Sequence, residues 1–132
     1  MDYADWNPIY EQIRADFEYD RAGDERARDV LAGYAVPFDL DRLPAADATV
    51  AIAGGASTLE DDLDVAAEAD FVFAASTAAD VLYGAGIQID LMVTDLDKNV
   101  ETAVAMTRAG RPVAVHAHGD NVALLRRAVP QM

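Results

Sequence analysis

Four short apolar runs alternate with helix-length segments between residues 49 and 128, and few folds can use that order. The runs are 49–53, 71–74, 90–93 and 112–115. Each is continuously apolar over most of its length, where a strand with one wet face would alternate. Continuous runs separated by helices predict a parallel sheet with both faces covered. The intervening helices have readable ends. Ser57 with Glu60 three residues on reads as a capping box for a helix reaching about Ala67. A helix over 77–83 stops at Gly84 or Gly86, and one capped by Asn99 runs to Arg108 and stops at Gly110. The last covers 122–128, before Pro130. The sequence therefore predicts an α/β domain over 46–132, Rossmann-like, with helices on both faces of a parallel sheet.

Residues 1–45 read as a helical segment packed on that domain. Trp6, Tyr10, Ile13 and Phe17 recur at helical spacing and make one apolar stripe, expected to be core packing. Pro8 fits a first turn. A second helix is expected over 24–31, with Gly33 past its end, and then a connector between Pro37 and Pro44.

Composition narrows the partners. Formal net charge is −14, and of ten basic residues nine are Arg and one is Lys98. Such a surface repels nucleic acid and anionic membrane. Its acid-rich, Lys-poor character is that of proteins from a salt-loaded cytoplasm, so a halophilic protein is expected. Cysteine is absent, which removes disulfides and thiolate metal sites. The acidic start Met1-Asp2-Tyr3-Ala4-Asp5 is unlike a secretory leader. No apolar run nears the roughly 20 residues of a membrane helix. The expected location is cytoplasmic.

In parallel α/β sheets, ligands bind beyond the carboxyl ends of the strands. The polar residues of this half concentrate there. Gly54, Gly55, Ala56 and Ser57 join the first strand to a helix, where free backbone N–H groups could cradle phosphate; a plain tight turn is an equal reading. Asp95 and Asp97, after Thr94, offer hard oxygen ligands for Mg²⁺, against the bland reading of solvated acid. The chain has only two histidines, His116 and His118, and both share one segment with Asp120 and Asn121. Imidazoles beside a carboxylate can ligate metal, orient phosphate or relay protons. The acidic stretch Glu60, Asp61, Asp62 and Asp64 lacks the glycine and spacing of a calcium loop and reads as a solvated face.

With these residues in view, the sequence resembles the archaeal 6-hydroxymethyl-7,8-dihydropterin pyrophosphokinases, a family related in fold to thiamin pyrophosphokinases. The resemblance begins at Asp5, Trp6, Tyr10, Ile13, Asp16 and Phe17 and continues through Ile52 to Leu59. Its most specific parts are Val93-Thr94-Asp95-Leu96-Asp97 and His116-Ala117-His118-Gly119-Asp120-Asn121. It implies transfer of a diphosphate from ATP to a reduced pterin alcohol, releasing AMP, in folate-type or methanopterin-type cofactor synthesis. It also implies Mg²⁺ on Asp95 and Asp97. Asp95, Asp97, His118 and Asp120 would be the catalytic set. Thr94, His116, Asn121 and the loop from Gly54 to Ser57 would bind the nucleotide and pterin. The pattern departs from the family at Ala75-Ser76-Thr77, where an Asp-Gly pair is expected, and at Lys98-Asn99, where Gly is expected. Little sequence follows Asn121, so the resemblance implies a shortened or amino-terminal portion, with self-association across an open sheet edge.

Two rival readings stand beside it. The His-x-His-x-Asp spacing also occurs in metal-dependent hydrolases. A non-catalytic nucleotide-binding or assembly module is the alternative from a different class.

The charge makes a direct prediction. At 1 M salt the screening length is about 3 Å, against about 30 Å at 0.01 M. Self-repulsion of a −14 surface should then collapse, and the melting midpoint should rise from dilute buffer to molar KCl. Thermal melts at the two salt levels check this, and an unchanged midpoint removes the halophilic reading.

Overall fold

A computed structural model describes residues 2–132. Helices α1 (Tyr3–Phe17) and α2 (Arg21–Ala32) lead into a connector. Strands β1 (Val50–Ala53), β2 (Phe71–Ala75), β3 (Leu91–Thr94) and β4 (Val113–Val115) then alternate with helices. Those helices are α3 (Leu63–Ala67), α4 (Thr77–Gly84), α5 (Val100–Arg108) and, after β4, α6 (Val122–Ala128). The sheet order is β1-β2-β3-β4 and every pairing is parallel. The α/β class and the strand positions are those the apolar runs predict.

The sequential order places all four strand-end loops along one end of the sheet. The β3 and β4 loops are neighbours. The β1 loop is two strands from β3, about 10 Å at ordinary strand spacing. Chemistry that needs close contact is thereby assigned to β3 and β4.

Packing is uneven between the two faces. Ala53, Val72, Ala74, Met92 and Thr94 are buried, and the register aligns Ala53 with Ala74 and Ala74 with Met92. They join one core with Ala66, Ala78, Ala79, Leu82, Ala103 and Met106 from α3, α4 and α5. Small alanines on both sides let helix and sheet approach closely. The alternate positions Val50, Ile52 and Val93 are exposed, Ile52 by 81%. Expected cover on this second face is thus missing over β1 and part of β3. At the other end of the sheet, Thr49 and Asp70 tie β1 to β2. The Thr49 backbone N–H and hydroxyl both donate to the Asp70 carboxylate, at 2.9 and 2.7 Å. The hydroxyl bond chiefly holds Asp70 below the usual carboxylate range.

Two local expectations are corrected. Ser57 and Glu60 do not open a long helix. Successive tight turns, Ala56 N–H to the Gly54 carbonyl and Leu59 N–H to the Ala56 carbonyl, lead into a 3₁₀ turn (Leu59–Asp62). Thr58 precedes that turn without a side-chain cap, and α3 is only five residues long. The stripe on α1 is not core either. No residue of α1 is buried, and Trp6, Ile13 and Phe17 are exposed. Helical spacing establishes that a stripe is one-sided, and it does not say what the stripe meets. The hairpin is held by polar contacts, including Arg21 to Glu11 at 3.0 Å, while α2 packs on α6 through Ala27. Among the described residues, no helix is long and apolar enough to cross a membrane.

The two faces should respond differently to truncation. Met92 is fully buried, so Met92→Ala should cost about 2–5 kcal/mol. Ile52→Ala on the open face should stay within about 0.5 kcal/mol. Denaturant unfolding in molar KCl measures both.

Candidate active site

The β3 loop turns sharply at Leu96. This residue has φ 68 and is fully buried, so its side chain anchors the loop beneath the surface. A non-glycine residue in that region costs of order 1–3 kcal/mol and persists only where its surroundings hold it. The restraints are local. The Thr94 hydroxyl accepts from the Leu96 N–H at 3.0 Å, and the Asp95 carboxylate accepts from the Asp97 N–H at 3.2 Å. Asp95 is left half-buried and Asp97 exposed.

The β4 loop is tied to it. The His116 N–H donates to the Thr94 carbonyl at 2.8 Å, continuing the ladder beyond the strands. Asn121 then closes the gap. Its amide nitrogen donates to the carbonyls of Asp95 and His116 at 3.0 and 2.9 Å. Its amide oxygen accepts from the His118 N–H at 3.1 Å. Asn121 and Thr94 are 2% and 3% exposed, with their polar groups engaged inside the protein. Both were predicted to bind ligand, and in the structure both hold the loops.

This scaffold brings three predicted residues together. Asp95, Asp97 and His118 each place one possible ligand atom within 4.8 Å of the others. The His116 and His118 rings stack with centroids 5.5 Å apart. His118 Nδ1 contacts the Asp120 carboxylate. A carboxylate on one ring nitrogen fixes the orientation of the ring. Among the described residues, neither Asp95 nor Asp97 forms an ion pair with Arg or Lys. Two hard carboxylate oxygens suit Mg²⁺ or Mn²⁺, and the imidazole widens the set towards later transition metals.

The predicted phosphate loop lies apart from this cluster. Gly54, Gly55, Ala56 and Ser57 are exposed at the end of β1, two strands away. A Cβ on Gly55 would fall 2.3 Å from Thr77 Oγ1, so Thr77 would have to turn its side chain to admit one. That approach joins the β1 loop to the start of α4.

Several participants escaped the sequence reading. Asn99 was expected to cap α5. It instead adopts φ 65 and turns its amide onto Asp80, which also receives the Thr102 hydroxyl. Ser76, at φ 39, hydrogen-bonds Asn99 from the β2 loop. Asp24 of α2 accepts the Gly119 N–H at 2.8 Å and the Tyr10 hydroxyl at 2.8 Å. Its carboxylate holds the Tyr10 phenol above its ordinary pKa. Only the glycines at 23 and 119 carried a sequence signal for that contact.

Parallel strands carrying a carboxylate–imidazole cluster beyond their carboxyl ends define a Rossmann-like α/β protein with a candidate metal centre. Over nearly its whole length, this one is similar to three archaeal proteins named 6-hydroxymethyl-7,8-dihydropterin pyrophosphokinase. The protein of that name from Methanothermobacter thermautotrophicus is 29% identical over 98% of the chain. Those of Methanocaldococcus jannaschii and Pyrococcus furiosus are 25% and 32% identical over 100% and 92% of the chain. The chain spans only 55–59% of the length of these relatives. No protein-family model matches it.

The clamp can be tested without ligand. Asn121→Asp keeps the shape and the acceptor for the His118 N–H, yet loses both donors and sets a carboxylate against two carbonyls. Stability should fall by at least about 2 kcal/mol. Denaturant unfolding measures this, and a loss below about 0.5 kcal/mol would show that the amide is not holding the loops.

Proposed function

We propose that the cluster on β3 and β4 serves diphosphate transfer from ATP to 6-hydroxymethyl-7,8-dihydropterin, releasing AMP. The reaction belongs to the synthesis of folate-type or methanopterin-type cofactors. The observation that carries the reading is the convergence of Asp95, Asp97 and His118 in a chain whose three archaeal relatives bear that enzyme's name. The lengths of those relatives allow the working site to need more protein than this chain, so activity is assigned to whichever assembly is competent.

In the proposed reaction, the pterin hydroxymethyl oxygen bonds to the β-phosphorus of ATP. The bond from that phosphorus to the oxygen shared with the α-phosphate breaks, and its electron pair leaves with AMP. The hydroxyl proton passes to solvent water, and the His118 imidazole, oriented by Asp120, would join Asp95 and Asp97 on the cation. Mg²⁺ held by Asp95 and Asp97 would supply neutralising charge for the phosphates. The remaining contribution is positioning, since phosphoryl transfer asks little covalent chemistry of the protein. His116 would line the site beside His118. The Gly54–Ser57 loop, about 10 Å from β3, is at a distance that an extended triphosphate nucleotide can bridge.

One observation favours a second reading. A histidine beside two carboxylates is also a donor set that Zn²⁺ accepts, as a metal-dependent hydrolase would need. Nanomolar Zn²⁺ binding without nucleotide, lost on His118→Ala, would select it.

The test is AMP formation from ATP in molar KCl, with and without the reduced pterin alcohol. AMP should form only with the pterin present. Asp97→Asn should lower turnover by about two orders of magnitude while pterin affinity stays within a few-fold, because the lost charge acts on the transition state. Wild-type turnover in that variant would return Asp97 to a solvated loop acid. Mg²⁺-dependent ATP binding without turnover would select the non-catalytic module.

A further inference from the structure

We infer that the α1–α2 hairpin is a positioning element for the metal cluster, acting through Asp24 on the Gly119 amide and so on His118. This rests on the reading of Asp95, Asp97 and His118 as a cation site. The contact is specific. One Asp24 oxygen accepts the Gly119 N–H at 2.8 Å, across 95 residues of sequence, and the other accepts the Tyr10 hydroxyl at 2.8 Å. The backbones meet closely beside it. A Cβ on Gly23 would lie 3.2 Å from Gly119 Cα, and one on Gly119 would lie 3.3 Å from the Gly23 backbone. Two glycines thus let α2 press directly on the loop between His118 and Asp120.

The consequence follows from where Gly119 sits. Its amide is the peptide link that begins at the His118 carbonyl carbon. Fixing that amide fixes one side of the His118 backbone, and Asn121 fixes the other through the His118 N–H. Asp120, which meets the His118 ring, follows Gly119 directly. With Asp24 present, the imidazole is held from both sides. Without it, the β4 loop keeps only Asn121 and the His116 N–H bond to Thr94. α1 buries no side chain and reaches Asp24 through the Tyr10 hydroxyl, while α2 meets the domain at the buried Gly23 and Ala27 that flank Asp24. Asp24 is a positioning residue and touches no reacting atom.

Charge and hydrogen bonding are separable by substitution. Asp24→Ala removes both acceptors. Asp24→Asn keeps an oxygen for the Gly119 N–H and offers its NH₂ to the Tyr10 oxygen, while removing the negative charge. Thr49→Ala is a control for stability alone, since it removes the hydroxyl that donates to the Asp70 carboxylate and accepts the Asp70 N–H at the opposite end of the sheet.

The experiment measures Mn²⁺ affinity by calorimetry, hydrogen exchange at the Gly119 amide, and the melting midpoint, all on this chain in molar KCl. Asp24→Ala should weaken Mn²⁺ binding about tenfold or more, as loss of an orienting partner does, and should expose Gly119 to exchange. Asp24→Asn should restore both. Thr49→Ala should lower the midpoint and leave Mn²⁺ affinity unchanged. The inference is overturned if Asp24→Ala binds Mn²⁺ as the wild type does, if Asp24→Asn is as weak as Asp24→Ala, or if Thr49→Ala weakens Mn²⁺ equally. If the wild type takes up no Mn²⁺, the cation reading itself fails. Exchange at Gly119 then decides the tether alone: loss of protection in Asp24→Ala with retention in Asp24→Asn supports it, and unchanged protection overturns it.

Discussion

One buried amide governs the candidate site. Asn121 joins the backbone after β3 to the backbone after β4, and does so with both ends of its side chain. Parallel strands bring their carboxyl ends side by side, yet they leave the loops beyond free to splay. A carboxamide can donate twice and accept twice, and here the two donations and one acceptance fall on three different peptide groups. In a site of low dielectric such bonds are strong when made and costly when missing. The separation of Asp95 from His118 is therefore set by a group that need touch no ligand.

The β3 loop shows how a strained residue is kept. Leu96 stands where glycine would be comfortable. Its side chain is fully buried, and burying a leucine gains roughly 1.5–3 kcal/mol, comparable with the conformational cost. Thr94 and Asp95 reinforce the turn by each accepting the N–H two residues ahead. Because Leu96 points into the core, its acidic neighbours are turned away from the core together. The Asp-Leu-Asp order is thus a folding statement as well as a chemical one.

What could be read from the sequence follows the range of the interaction. Strand runs such as 71–74 announce themselves, because Val72 and Ala74 are buried on one face, Phe71 and Phe73 are half-buried on the other, and a strand covered on both faces selects apolar residues over its whole length. The β3 and β4 motifs were legible because polar residues at strand ends stand out against those runs. Asp24 was not legible, since its partner Gly119 lies 95 residues away and no local pattern pairs the two segments. The stripe on α1 misled for a related reason. Tyr10 does turn inward, to a carboxylate and not to a core, and Phe17 finds only Tyr19 to stack against, at 5.7 Å. The Ser57 capping box failed where the Leu59 N–H, a first-turn donor of the expected helix, is taken by the Ala56 carbonyl in a tight turn.

The charge of the chain bears on the site in a way that neither composition nor local geometry reveals alone. The net charge is −14, and the ion pairs of the hairpin and of Arg111 with Asp90 leave Asp95 and Asp97 without a cationic partner among the described residues. Surface ion pairs of this kind contribute little to stability. Among the described residues they occupy five of the nine arginines: Arg14, Arg21, Arg26, Arg28 and Arg111. An anionic substrate approaching this protein meets repulsion on nearly every side, and a carboxylate pair at the strand ends deepens it. On the proposed reading, then, a divalent cation is needed twice: once to relieve Asp95 and Asp97, and again to reverse the local sign of the potential so that a polyphosphate can approach. Dissolved salt screens the surface at long range but cannot replace that second function, because at molar strength the screening length is about 3 Å and a charge in direct contact with phosphate is hardly screened at all.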